Sequence, residues 1–164
     1  MRYNKIRKMD ISNGPGVRVS IFLQGCSFNC ENCFNPETHD FEGGDELTQE
    51  KVDEVIKLCA NENIKGLSIL GGEPMHPKNV KATELLAKSL KEKYPEKTVW
   101  VWSGYTFEDY LKKQDAIKYI DIIVDGQYVD NLHDPRLKWR GSSNQRVIDV
   151  QKSLKNDKVE LFCD

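Results

Sequence analysis

Three of the chain's five cysteines lie within eight consecutive residues, at Cys26, Cys30 and Cys33. An odd number of cysteines, crowded in this way, favours metal ligation over disulfide bonds in a reducing compartment. A 4Fe-4S cluster in an electron-transfer protein normally uses four cysteines, so three would leave one iron open to a substrate. A zinc site is the alternative, because structural zinc takes four ligands and His39, Cys59 or Cys163 could complete the set. The spacing alone leaves both kinds of site open.

Glycine-rich and polar motifs follow apolar segments further along the chain. They are Gly71-Gly72-Glu73-Pro74, Ser103-Gly104-Tyr105 and Asp125-Gly126-Gln127-Tyr128. Glycine allows a backbone to approach a ligand closely, and a carboxylate such as that of Asp125 accepts hydrogen bonds from a hydroxyl or an amine. Gly71 to Pro74 taken alone is better explained as a tight turn, and turn chemistry also explains Gly104 and Gly126. Asp125 is equally well explained as a solvated or helix-capping carboxylate. Their shared position after successive apolar segments is what favours a site.

Hydrophobic periodicity predicts the strands and helices that would position these motifs. The predicted strands are Val17 to Gln24, Gly66 to Leu70, Thr98 to Trp102, Ile120 to Val124, Arg146 to Val150 and Val159 to Cys163. The first predicted helix runs from about Thr48 to Ala60. The second contains the apolar stripe Leu86, Ala87, Leu90 and Tyr94 and ends at Pro95, and the third begins at a capping box of Thr106 and Asp109. Trp100 and Trp102 alternate with valines, so both indoles should lie on one face of their strand as packing residues.

The alternation of strands and helices predicts a single α/β domain with a parallel sheet. We expect an incomplete, TIM-type βα barrel, because a full eight-fold barrel takes about 250 residues and the chain has 164. Ligands bind at the carboxyl ends of the strands in such folds, where the cysteines and the later motifs would meet. The segment from 130 to 143 is polar and aperiodic, and a loop of this length is more often functional than idle.

The composition argues against nucleic acid and membranes as binding partners. The 24 basic and 26 acidic residues give a net charge of −2 and a pI near 6.0, so no broad basic surface for nucleic acid is expected. No apolar run reaches the roughly 20 residues that span a bilayer, and the polar start lacks the apolar region of a signal peptide. We therefore expect a cytoplasmic protein that binds neither nucleic acid nor membrane. Cys59 is expected to be a buried structural thiol, and no histidine is given a catalytic role.

The cysteine motif resembles that of the radical S-adenosylmethionine (SAM) superfamily, in which a C-x3-C-x2-C sequence precedes an aromatic residue, here Phe34. The preceding run Asn13-Gly14-Pro15-Gly16-Val17-Arg18 is similar to the opening of glycyl-radical-enzyme activating proteins. The resemblance implies a partial barrel of the radical SAM type, with one 4Fe-4S cluster held by Cys26, Cys30 and Cys33. The SAM contacts that it implies are Asn32, Cys33, Phe34, Gly72 and Glu73. Ser103 and Asp125 are added to these contacts from their position at the strand ends.

The stretch from Asp134 to Asp149 resembles one family, the activating proteins of anaerobic ribonucleoside-triphosphate reductase. The resemblance covers about residues 3 to 149 and leaves 150 to 164 as an extension with no assigned role. It implies an oxidoreductase that cleaves SAM reductively to methionine and a 5'-deoxyadenosyl radical, which takes hydrogen from a glycine of the reductase. A low-potential electron donor is the second implied partner, and no catalytic side chain is expected beyond the cluster and SAM. The alternatives are another glycyl-radical partner, a small-molecule substrate, or a zinc-stabilised interaction module.

The segment from 130 to 143, with Asn144 to Arg146 after it, is expected to receive the glycine-bearing segment of the reductase. Its basic side chains would pair with partner carboxylates, and Trp139 would be an aromatic anchor. The basic residues are Arg136, Lys138, Arg140 and Arg146. The alternative is that the segment closes the barrel, with Arg140, Asn144 and Arg146 satisfying backbone carbonyls.

Overall fold

The computed structural model describes residues 1 to 163, whose strands form one eight-stranded sheet. The strands are β1 (Arg2–Asp10), β2 (Val17–Leu23), β3 (Asp45–Glu46), β4 (Ile64–Gly71), β5 (Thr98–Trp102), β6 (Ile122–Asp125), β7 (Arg146–Asp149) and β8 (Leu161–Cys163). Their order across the sheet is β3-β1-β2-β4-β5-β6-β7-β8. Strands β2, β4, β5 and β6 are parallel neighbours, whereas β1, β3, β7 and β8 join the sheet antiparallel.

Three α-helices accompany the sheet: α1 (Gln49–Leu58), α2 (Val80–Lys93) and α3 (Val150–Asn156). Helix α1 begins at Thr48 because its hydroxyl accepts a hydrogen bond from the backbone N–H of Lys51 at 3.1 Å. The helix buries Val52 and Val55, and α2 buries Leu86 on the corresponding apolar stripe. No helix among residues 1 to 163 is long and apolar enough to cross a bilayer.

The two faces of the sheet carry different side chains. Val99 and Val101 of β5 pack in the main core with residues of α1 and α2. Trp100 lies between them in sequence and joins a second cluster, with Val124 and Val147, on the face away from the helices, which we call the inner face. Trp102 packs on the same cluster, so the expectation that both indoles share one face is confirmed.

The α/β class is confirmed, whereas a TIM-type barrel is not. The sheet is open, with β3 and β8 at its two ends, and antiparallel strands flank the four parallel ones. The predicted third helix is also different, because the chain after Thr106 forms two 3-10 turns at Leu111–Lys113 and Asp115–Tyr119. Thr106 Oγ1 donates to Asp109 Oδ2 at 3.0 Å, which is a bond between two side chains and not the pair of side-chain-to-backbone bonds of a capping box.

The extension after residue 149 adds α3 and the edge strand β8. Asp149 caps α3 by accepting a hydrogen bond from the N–H of Lys152, and β8 then pairs antiparallel with β7. Phe162 packs edge-on against Trp100, with ring centroids 5.4 Å apart. The extension therefore covers part of the inner face.

Candidate functional site

The cysteine loop, residues 25 to 35, leaves β2 at the carboxyl end of the strand. The backbone N–H of Gly25 donates to Thr38 O at 2.7 Å, so the chain after the loop folds back onto its start. Asn29 and Asn32 have φ of +53° and +55°, the left-handed region that asparagine tolerates better than most residues. These turns leave the three thiols of the loop partly exposed.

The donor set of this loop fits a 4Fe-4S cluster. Burial raises the pKa of Cys26 to about 11 and also raises that of Cys33, so both must lose a proton when they bind iron. The sulfur of Cys33 faces the backbone N–H of Asn35 at 3.5 Å, and N–H groups near ligand sulfurs are typical of iron-sulfur sites. Among residues 1 to 163, no three His, Cys, Asp or Glu side chains converge on one ion. A cube binds each cysteine through a different iron, so it does not require such convergence.

The glycine turn, Gly71 to Pro74, packs directly against the cysteine loop. The backbone N–H of Gly72 donates to Leu23 O at 2.9 Å, and that of Glu73 donates to Gly25 O at 2.8 Å. A Cβ atom on Gly72 would collide with the carbonyl oxygen of Gly25. Glycine is therefore required here because the two backbones touch, and the first and second predicted motifs meet at one edge of the sheet.

The Glu73 side chain is buried, with 2% of its surface exposed, and it bonds to residues that follow β4 and β5. Its Oε1 accepts the N–H of Gly104 at 2.6 Å, and its Oε2 accepts the hydroxyl of Ser103 at 2.7 Å and the N–H of Met75 at 2.9 Å. Glu73 and Ser103 thus hold the glycine turn against the end of β5. The expectation that they bind SAM stays a prediction.

Glu73 makes the stability of the metal-free protein depend on pH. Burial raises its pKa from 4.5 to about 7, so its contribution to stability is full below pH 4.5 and is lost as the pH rises through 7. The loss should reach about 3 kcal/mol. The side chain of Glu73→Gln cannot ionise, so this variant lacks the effect. The difference in free energy of unfolding, parent minus variant, should therefore fall by about 3 kcal/mol between pH 4.5 and 8. Urea unfolding of both proteins measures it, and a constant difference would contradict the raised pKa.

The segment after β6 contacts the residues expected at the adenosyl end of SAM. The side-chain amide of Asn32 donates to Asp130 Oδ2 at 3.0 Å, and the Tyr128 hydroxyl donates to Asp130 Oδ1 at 2.8 Å. Phe34 is 62% exposed and packs against Tyr128, with ring centroids 5.0 Å apart. Sequence reasoning missed the role of Asp130, whose only signal was its place at the start of a polar segment.

A cleft of about 520 Å³ opens beside the glycine turn along the inner face, within the size range of small-molecule sites. Of the seven predicted SAM contacts, Phe34 and Gly72 line it. The other five do not: Asn32, Cys33, Glu73, Ser103 and Asp125. The other walls come from β1, β5 and the segment around residue 139. They include Arg7, Asn13, Trp102, His133, Trp139 and Arg140.

Asp125 has different partners from those expected of a ligand-binding carboxylate. It is 1% exposed, accepts the N–H of Phe107 at 2.9 Å, and forms an ion pair with Arg146 at 2.6 Å. Arg146 also pairs with the exposed Glu108. These contacts favour a structural role for Asp125, in which it fixes β7 beside β6, and its SAM role stays a prediction.

Asp125→Asn should therefore lower the free energy of unfolding by about 1.5 to 3 kcal/mol, the usual contribution of a hydrogen bond to a charged group. Glu108→Gln, at the exposed end of the same arginine, should cost less than about 1 kcal/mol. Arg146→Gln is the matched control in a measurement of SAM binding, because it breaks the ion pair with Asp125 but leaves the Asp125 carboxylate in place. If Asp125→Asn weakens SAM binding well beyond Arg146→Gln, Asp125 contacts the ligand after all.

The segment around residue 139 forms a wall of the cleft. Its contacts within the protein favour this structural role for Trp139 over the expected role as an anchor for the reductase. Trp139 packs edge-on against Trp100, with centroids 5.7 Å apart, and its carbonyl oxygen accepts the Trp102 indole N–H at 2.6 Å. Arg140 donates to Gln145 O at 2.7 Å, as the barrel-closing interpretation expects of it. Arg136 is different, since its side chain is 89% exposed and, within residues 1 to 163, is paired only with Asp134.

Comparison with known proteins agrees with this site. A family model described as a 4Fe-4S single cluster domain matches residues 12 to 148. Relatives called anaerobic ribonucleoside-triphosphate reductase-activating protein are 41% identical in Enterobacteria phage T4, 40% in Vibrio cholerae and 38% in Escherichia coli. Each alignment covers 90% of this chain, together with 93% of the phage protein and 97% of the two bacterial proteins.

Proposed function

Because the chain belongs to the family of anaerobic ribonucleoside-triphosphate reductase-activating proteins, we propose that it activates such a reductase by forming a glycyl radical on it. On this proposal the chain is a radical SAM oxidoreductase, with one 4Fe-4S cluster and SAM as its cofactors. The 4Fe-4S family model supports the iron-sulfur part. The SAM chemistry is supported by the arrangement of the cysteine loop and the cleft.

The observation that carries the proposal is the direct contact between the cysteine loop and the glycine turn. The N–H of Glu73 donates to Gly25 O, one residue before the first cysteine of the loop. The side-chain amide of Asn79 bonds to the same carbonyl at 3.1 Å, which locks the two backbones together. Because the loop and the turn touch here, one small ligand could bind an iron held by the loop and also contact the backbone of the glycine turn. SAM has that shape, because its amino acid part can chelate a metal while its adenosyl part extends away.

The chain's own residues then have defined tasks. Cys26, Cys30 and Cys33 would hold the cluster, and a set of three cysteines would leave one iron open to the amino and carboxylate groups of SAM. Gly72, which lines the cleft, would border the methionyl part, and Phe34 with Asn32 would border the adenosyl part. When bound and reduced, the cluster supplies the electron that splits SAM into methionine and a 5'-deoxyadenosyl radical. The protein contributes position and exclusion of competing reactions.

The inner-face cleft is the proposed entrance for the glycine of the reductase. A radical this reactive must form within contact distance of its target, so the partner segment has to reach the same cleft as SAM. The cleft runs from Gly72 beside the cysteine loop to Arg7 and Asn13 of the opposite wall. A low-potential electron donor is needed as well, and it must approach the cysteine loop from outside the cleft.

Anaerobic reconstitution with iron and sulfide tests the SAM half of the proposal without a partner. The reconstituted protein, reduced in the presence of SAM, should release 5'-deoxyadenosine and methionine in equal amounts. A zinc-stabilised module would be colourless and would release neither product. Hydrogen exchange into the glycine of candidate partners then distinguishes the ribonucleotide reductase from other glycyl-radical enzymes.

A further inference from the structure

His39 connects two of the three cysteines that the proposed function assigns to the cluster. Its ring Nε2 lies 3.3 Å from the sulfur of Cys33, within hydrogen-bonding distance for a sulfur acceptor. Its backbone carbonyl accepts the N–H of Cys26 at 3.1 Å. One residue therefore contacts the first cysteine through its backbone and the last through its side chain.

The backbone of His39 is also held by the turn that precedes it. The 3-10 turn Pro36–Thr38 precedes it, and the N–H of His39 donates to Pro36 O at 3.2 Å. Thr38 is fully buried, and its hydroxyl donates to Asn35 O at 2.6 Å. The imidazole is thus presented to Cys33 from a turn whose backbone is fixed by hydrogen bonds.

We infer that His39 is a positioning residue that donates an Nε2–H hydrogen bond to the iron-bound thiolate of Cys33 and thereby sets the reduction potential of the cluster. A thiolate bound to iron has no proton to donate, so the imidazole must be the donor in this contact. The inference rests on the proposed function, because it requires Cys33 to be a cluster ligand. Sequence reasoning had considered His39 only as a fourth ligand for zinc.

The direction of the effect follows from charge. Reduction adds one electron to the cluster and makes its sulfurs more negative, so a hydrogen bond to a ligand sulfur stabilises the reduced form more than the oxidised form. Loss of the donor should therefore move the potential to a more negative value. The ligand set would be unchanged, because the histidine does not itself bind iron.

The test compares reconstituted parent, His39→Phe and His39→Gln by a redox titration followed by electron paramagnetic resonance. His39→Phe keeps a ring but has no N–H. At a fixed potential its ratio of reduced to oxidised cluster should fall threefold to tenfold, and tenfold corresponds to about 59 mV for a one-electron couple. His39→Gln keeps an N–H donor and should move the potential back toward the parent. The coupling of the exchangeable imidazole proton to the reduced cluster should be lost in His39→Phe, whereas that of the Asn35 N–H, which faces the same sulfur, should remain.

His76→Phe is the matched control, since this imidazole packs against Phe41 and should leave the potential unchanged. An unchanged potential and proton coupling in a fully loaded His39→Phe protein would overturn the inference and leave the proposed function standing. Loss of the cluster from both His39 variants, with their fold intact, would make His39 an assembly residue and would also overturn it. Failure of the proposed function looks different, because the parent would then hold no cluster or would not cleave SAM.

Discussion

Alanine at Cys26, Cys30 or Cys33 is expected to abolish stable incorporation of the cluster. A cube left with two protein ligands has too few anchors, and the loop offers no substitute thiol near the vacated iron. Iron and sulfide, measured per chain after anaerobic reconstitution, should fall from about four of each to near zero in all three variants. Reductive cleavage of SAM should be lost with the cluster.

Cys59 and Cys163 provide matched controls for the three loop cysteines. Cys59 is fully buried among apolar side chains of the main core, whereas the three loop thiols are partly exposed, so a cluster has no room beside it. Cys163 lies on β8 beside the inner-face cluster. Alanine at either position should leave iron and sulfide at the parent level. A cluster lost from Cys59→Ala with the fold retained would refute the ligand assignment.

The double variant Arg136→Glu with Lys138→Glu is expected to lower the yield of glycyl radical on the reductase by about tenfold or more. Both side chains are exposed, and their sequence neighbours Pro135 and Leu137 line the cleft. Reversing exposed charges mainly changes how a charged partner associates. A tenfold loss corresponds to about 1.4 kcal/mol of binding free energy. Cleavage of SAM without the partner should stay at the parent level, because neither residue lines the glycine turn or the cysteine loop.

Lys152→Glu with Lys155→Glu carries the same change of charge on exposed positions of α3 and should leave the radical yield unchanged. Trp139 is left intact in this comparison because it packs on Trp100 and its removal would open the inner face. An unchanged radical yield in the first double variant would place the docking surface elsewhere. An equal loss in both double variants would indicate a general effect of net charge.

The motifs that sequence analysis found are those whose chemistry is local. Three cysteines within eight residues are visible without a fold, and so is a pair of glycines after an apolar strand. The parallel strands were predictable because both of their faces are buried, which gives continuous apolar runs such as that of β6. Strand β1 was missed because its residues are only partly buried or exposed over most of its length, so it has no apolar run.

The contacts that sequence analysis missed join residues far apart in the chain. Asn32 and Asp130 are 98 positions apart, and no local pattern relates them. Asp125 was placed correctly at a strand end, but its pairing with Arg146 depends on β7 returning antiparallel beside β6. The third predicted helix failed for a related reason, because a capping box indicates where a helix can begin and not how far packing allows it to continue.

The most direct test of the central claim is electron paramagnetic resonance of the reductase after anaerobic incubation with this protein, SAM and a reductant. The account predicts an organic radical on the reductase whose doublet splitting is lost when the glycine Cα is deuterated. It also predicts that the radical is absent when Cys33→Ala replaces the parent. The proposal would be contradicted if the fully reconstituted protein cleaved SAM but formed no radical on any anaerobic ribonucleoside-triphosphate reductase tested with it.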